Sequence, residues 1–222
     1  MKNILVVGAS SSVAKILCEK YRSEYNFIRL SREEEYSDVS AFDCLDSKSF
    51  YDKDIAYDGL VFFSGSINLK PFDNAEINEF KKDFDIHLFG LINILKFYNK
   101  KFNSGASVVL IGTVATKQGM PFHSIVSTVK SAVNGLAISL AAEWAPRIRV
   151  NVISPSLFKS KMSERFFRNE KVVDKIKNNH PMKRLGSVED ISSIINFMLS
   201  DDSSWITGQN ISVDGGISSI KL

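Results

Sequence analysis

Lys130 and His123 stand where a titratable group is least at home. The stretch HSIVSTVK (123–130) opens the run SAVNGLAISLAAEWA, in which Val126, Val129, Val133, Leu136 and Leu140 recur at three- and four-residue steps. That spacing is one apolar face of a helix. His123 and Lys130 fall close to the same face, three residues before and four after Val126. A buried ammonium is costly unless something holds it. Lys130 therefore either snorkels to water at the edge or donates to a bound group. His123 offers an imidazole, a side chain able to act as acid or base. A second candidate is the turn VVGASSSVAK. Gly8 lets the chain turn tightly, and the small residues Ser10, Ser11 and Ser12, followed by Val13, leave room for a pyrophosphate at the next helix's N-terminus. Two glycines of a dinucleotide fingerprint are absent here, so a plain strand-to-helix turn reads equally well.

These residues need elements to position them. NILVVG (3–8), NFIRLS (26–31), AFD (41–43), DGLVFFSG (58–65), ASVVLIGT (106–113), RIRVNVIS (147–154) and QNISVDGG (209–216) read as strands. Between them run helical patterns: 12–25, 73–84, 88–102, 126–145 and 187–199. Asp73 with Glu76, and Ser187 with Asp190, have the spacing of capping boxes. Nearly all-apolar strands alternating with helices predict a parallel sheet covered on both faces. Right-handed crossovers then leave the doubly wound, Rossmann-type α/β sheet, in which a ligand sits at the carboxyl ends of the strands.

Composition excludes several function classes. The 222 residues, 44% hydrophobic and 24% charged, suit a single domain over 1–222. No run of eighteen apolar residues predicts a membrane span, and no secretory pattern opens the chain. Cys18 and Cys44 are isolated, with no metal-ligand spacing, so reduced thiols, a cytoplasmic location and no metal are expected. A net charge of +3 is too mild for nucleic acid. That charge is unevenly placed: from Leu157 to Arg184 nine basic residues face three acidic ones, an excess of +6 against −3 for the remainder. Such a stretch either draws an anionic small-molecule substrate to a cavity mouth or is the solvated face of an amphipathic helix. The helices at 88–102 and 126–145 carry apolar residues on more than one face, which predicts a homodimer or homotetramer.

RIRVNVISPS, and then PMKRLGSVEDISSIINFMLSDDSSWITGQNISVDGG, resemble the short-chain dehydrogenase/reductase family. That family reads RVNxIxPG, RxGxPEDIA…FLxSDxSxxITGQ and a terminal VDGG in the same order. The resemblance implies seven strands in the order 3-2-1-4-5-6-7, a flap over the active site at about 155–186, and a four-helix bundle between subunits. It also implies roles. In the family a tyrosine four residues before a lysine transfers the proton, the lysine holds the nicotinamide ribose, and a serine polarises the substrate carbonyl. Lys130 matches the lysine, Thr113 the serine, and His87 an asparagine that holds a water relay. Val126 stands in the tyrosine's place, and a valine transfers no proton. Asp43, with Cys44 beside it, matches the aspartate that reads the adenine. Ser160, five residues after Pro155, stands where a threonine contacts the carboxamide. FFSG (62–65) replaces NNAG and keeps Gly65 after Ser64. Ser31–Arg32 at the end of the second strand suits the 2′-phosphate of NADP, with NAD as the second candidate, although Glu33, Glu34 and Glu35 oppose it. The expected function is an NADP(H)-linked oxidoreductase acting on a carbonyl or alcohol, with His123 or His87 as the replaced proton donor. The alternatives are a cofactor-binding protein without redox turnover and a dehydratase or epimerase on the same fold.

Overall fold

The computed structural model describes residues 1–167 and 169–221, without the side chains of Arg165 and Val172. Apolar runs become six strands: β1 (Lys2–Val7), β2 (Tyr25–Leu30), β3 (Tyr57–Phe62), β4 (Phe102–Ile111), β5 (Ile148–Pro155) and β6 (Asn210–Val213). All pair in parallel, in the order β2-β1-β3-β4-β5-β6. Successive side chains of a strand point to opposite faces, and β1 divides accordingly. Ile4 and Val6 pack with α1 (Ser12–Lys20) and α6 (Val188–Leu199); Leu5 and Val7 pack with α3 (Gly90–Tyr98) and α4 (Ser124–Trp144). The sheet is thus buried between two helical layers, as a doubly wound single-domain fold requires.

The expected strand AFD is not one, which leaves six strands instead of seven in otherwise the same order. Ala41 turns the chain at φ 49. Ser49 then accepts from the Asp43 N–H at 2.9 Å, and the Asp43 carboxylate accepts from the Leu45 N–H at 2.9 Å. These local side-chain bonds offer the backbone a turn in place of a ladder. Phe42 still reaches the core.

The helix expected from residue 73 also starts later. Asp73 lies in a separate short turn, and α2 (Ile77–Phe84) is capped by a box between Glu76 and Glu79. Ser187 and Asp190 form the box expected of them on α6. From α2 the chain passes through a π-helical turn, Asp85–Phe89, directly into α3. Such turns project side chains off the regular helical face, and His87 sits at the centre of this one. By length and composition α4 is long and apolar enough to cross a membrane. Here Val129, Val133, Ala137 and Ala141 seat it against the sheet.

The two boxes separate expected from observed caps. Ser187→Ala and Glu76→Ala should each lower stability by about 1 kcal/mol in urea unfolding. Asp73→Ala should cost less than about half of that.

Candidate active site at the carboxyl edge of the sheet

Crossovers leave β1 in opposite directions, toward β2 and toward β3, so the crevice beyond its carboxyl end is the switch point of the sheet. A cavity of about 1390 Å³ opens there. Gly8 forms its floor in the left-handed region, at φ 80, and a Cβ on it would lie 2.6 Å from the Ser64 nitrogen. Only glycine fits this approach of two backbones. Ser11 caps α1 by accepting from the Ala14 N–H at 3.1 Å, while Ser10, Ser12 and Val13 line the cavity. The first N–H groups of α1 therefore face a space of dinucleotide size.

The other expected cofactor contacts collect on the same wall. Ser31 is buried and accepts from the Glu33 N–H at 3.1 Å; Arg32 is exposed at the lip. Asp43 and Cys44 both line the cavity. The Cys44 sulfur fills the space where a Cβ on Gly90 would be, and burial pushes its thiol up to about 11, so it stays protonated. Ser64, Gly65, Pro155 and Ser160 complete the lining, with the Ser160 hydroxyl 3.0 Å from that of Ser163. The flap crosses to the glycine turn: the Lys161 N–H donates to Ser12 at 3.2 Å, and the Lys161 ammonium lies 3.9 Å from Glu33.

Lys130 is 8% exposed and does not reach bulk water. Its ammonium donates to the Ile111 carbonyl at 2.7 Å, at the end of β4. Burial lowers its pKa to about 8, against the pull of the Asp83 carboxylate. One carbonyl uses one of its three donors, and the others are available to the cavity it lines. Thr113 lines the same cavity and caps the next turn by accepting from the Ala115 N–H at 3.3 Å, which leaves its O–H to donate. Val126 faces the cavity one helical turn before Lys130. Among the described residues, none of the six tyrosines lines it.

His87 is 2% exposed, its ring held over Gly65, where a Cβ would lie 2.3 Å from the ring carbon Cε1. The Ser66 N–H donates to Nε2 at 3.0 Å, so the neutral ring carries its proton on Nδ1. Burial, and then the Lys130 charge, lower its pKa to about 2. His87 is therefore a fixed neutral donor with no imidazolium proton to give at physiological pH. Its buried Nδ1 has no protein partner among the described residues. His123 sits at the head of α4, half-buried, with Nδ1 2.7 Å from the Pro121 carbonyl and the ring facing the cavity. The third histidine was not singled out from the sequence. His180 follows α5 (Glu170–Asn179), and its Nε2 lies 2.8 Å from the Ser156 hydroxyl. One signal was available: RVNVISPS has serine where RVNxIxPG has glycine. Nothing marked the histidine that meets it.

The flap's charge mostly faces away. Lys177 pairs with Asp174 and Arg184 with Asp190. Of the flap's described basic side chains, Lys161 alone lines the cavity. Arg168, and the side chain of Arg165, lie outside the described residues. Among the described residues, no three His, Cys, Asp or Glu groups gather as metal ligands.

A family profile described as enoyl-(acyl carrier protein) reductase matches residues 50–218. The chain belongs to the short-chain dehydrogenase/reductase family. An uncharacterized oxidoreductase of Methylorubrum extorquens is 30% identical over 162 residues, covering 72% of this chain and 65% of that protein. Tropinone reductase-like 3 of Erythroxylum coca is 33% identical over 135 residues, 61% of this chain and 52% of its own length. The chain thus spans about half to two thirds of these curated relatives. In fold, a gluconate 5-dehydrogenase of Burkholderia cenocepacia, solved with NADP and tartrate, superposes with a TM-score of 0.89 at 20% identity, covering 99% of this chain and 96% of its own.

A lysine whose folded pKa lies below its unfolded value opposes folding while charged. The nucleotide-free protein should therefore gain stability as pH rises from about 8 toward 10.5, where only the unfolded chain still holds that proton. Lys130→Met should remove this rise in urea unfolding and make the protein more stable at pH 7, by on the order of 1 kcal/mol.

Proposed function

We propose that the chain is an NADP(H)-linked oxidoreductase acting on a carbonyl or alcohol group of a small substrate, with the family's proton donor replaced. One observation carries this reading: the buried ammonium of Lys130 opens on the same cavity as the glycine turn at Gly8. Within the described residues the ammonium has one hydrogen bond, to the Ile111 carbonyl, and the buried Asp83 carboxylate as counter-charge. A dinucleotide fits both features, with its pyrophosphate at the N-terminus of α1, its ribose hydroxyls on Lys130 and its adenine beside Asp43. When bound it would supply or accept the hydride.

The residues of this chain do the rest. Thr113 polarises the substrate oxygen by a hydrogen bond from its hydroxyl, which its cap to the Ala115 N–H leaves free to donate. Lys130 orients the nucleotide and, as a cation, favours negative charge developing nearby. His87 holds Gly65 against the cavity without adding charge. Arg32 at the lip favours NADP over NAD, and Lys161 beside Glu33 weakens the opposition of that carboxylate to a 2′-phosphate. Relatives named as reductases, and a fold neighbour solved with NADP, agree with this chemistry. An anionic substrate would be met by Lys161. The apolar faces left outside the sheet, such as that of Ile138 on α4, would be covered by a second or further copy of the chain.

A second reading rests on Val126. With no hydroxyl at that position, the pocket could serve nucleotide binding alone, or a dehydration or epimerisation.

Fluorescence titration with NADPH and NADH separates these readings. NADPH should bind more tightly than NADH. Lys130→Ala should weaken binding about tenfold or more, while Val126→Ala leaves it nearly unchanged. Val126→Tyr should raise carbonyl reduction if the pocket keeps the family's geometry. Equal loss in the two alanine variants would make Lys130 merely structural.

A further inference from the structure

Ser156 is the first residue after β5, at the carboxyl edge of the sheet, and its side chain faces the large cavity. The ring of His180, 2% exposed, lines the cavity beside it. Two contacts fix that ring. Nδ1 lies 2.8 Å from the Ile176 carbonyl, and Nε2 lies 2.8 Å from the Ser156 Oγ. A carbonyl only accepts, so Nδ1 carries the proton, and in the neutral ring Nε2 must accept from the serine hydroxyl. Gly215, at φ 59, has His180 and Met182 against the space of its missing Cβ. The result is a hydroxyl, a base and a group that orients the base, the arrangement that activates a serine.

We propose that Ser156 is the catalytic acid–base residue of this pocket and that His180 is its proton-exchanging partner, together taking over the step that Val126 cannot perform. This rests on the redox reading above. In the oxidative direction the substrate alcohol loses its carbon-bound hydrogen as hydride to an oxidised nicotinamide dinucleotide. Its hydroxyl proton passes to the Ser156 oxygen as the serine's own proton passes to His180 Nε2. The products are a carbonyl compound, a reduced nicotinamide and a protonated His180, so atoms and charge balance. Reduction reverses each transfer. Acyl transfer fits less well, because the Ser156 N–H already donates to the Val213 carbonyl at 3.3 Å and is not directed at an oxyanion. His123 has an oriented ring too, but among the described residues its partner is a backbone carbonyl, not a hydroxyl.

Asp214, on the loop after β6 next to the Gly215 that packs on the His180 ring, carries a negative charge that interacts with His180. Its carboxylate is held by the Gly216 N–H and by Ser218. On the histidine's own segment, Lys177 is turned to Asp174 and Lys183 to the Asn178 carbonyl. An imidazolium formed during turnover therefore has a carboxylate to stabilise it.

The test combines NADPH affinity, turnover and the state of the ring. The probe is NADPH-dependent reduction of 9,10-phenanthrenequinone by the full chain. Ser156→Ala, which removes only a hydroxyl, and His180→Gln should each leave NADPH affinity within about twofold and lower turnover by about a hundredfold or more. The double variant should be no worse than the poorer single one, because the two act as a unit. Reduction draws its proton from His180, so wild-type reduction should weaken as pH rises and His180→Gln should lose that dependence. In nucleotide-free protein, nitrogen-resolved NMR should find the His180 proton on Nδ1 and an Nε2 shift that changes in Ser156→Ala. Turnover that survives both variants, or loss confined to His123→Gln, would overturn the dyad. So would a ring protonated on Nε2 alone, or a wild type that binds NADPH and reduces nothing. A wild type that binds no nucleotide would overturn the redox reading itself, and the dyad's role with it.

Discussion

A single ammonium, nearly sealed from water, sets the terms for this molecule. Lys130 sits on the inner face of a helix whose other inward residues are Val126, Val129, Val133 and Ala137. It donates to one carbonyl at the end of β4, and burial drags its pKa down to about 8. A buried, shifted titratable group on a cavity is where a ligand contact is sought first. The surroundings are arranged around it. Two backbones approach closely at Gly8, a π-helical turn brings His87 over Gly65, and the flap returns Lys161 to the glycine turn. Remove the lysine and each of these has a reason only as packing.

Burial, and then this positive charge, make its neighbour inert. His87 lies in the same buried pocket, and desolvation together with the Lys130 field keeps it neutral. Two groups that both titrate toward cations cannot share a dry site, and the lysine, with Asp83 on its side, keeps the proton. Acid–base work must then fall to groups farther from that charge. His180 is held against Ser156 at the end of β5, within the electrostatic reach of Asp214.

Much of the architecture could be read from the chain. Period and apolar content gave six of the seven expected strands and the order of the sheet. AFD failed because Asp43 and Ser49 satisfy the backbone locally, an interaction that periodicity does not register. Asp73 had the spacing of a cap, but Glu76 competed for the helix start three residues on. At the site, the residues expected at Gly8, Ser31, Asp43, Gly65, Thr113, Lys130 and Ser160 do line one cavity. Ser156 and His180 escaped notice because 24 residues separate them, and their contact exists only once the chain after α5 returns to the end of β5. Spacing rules see partners on one element; they do not see partners brought together by a crossover.

The account's central claim is that the buried charge of Lys130 awaits a nucleotide. Calorimetric titration with NADPH at pH 8, repeated in two buffers of different ionisation enthalpy, counts the protons exchanged on binding. Near its pKa of about 8, Lys130 is only partly charged in the free protein. Ribose hydroxyls and phosphates favour the charged form, so binding should take up a fraction of a proton, and Lys130→Met should take up none. No binding, or the same proton count in the methionine variant, would contradict the account.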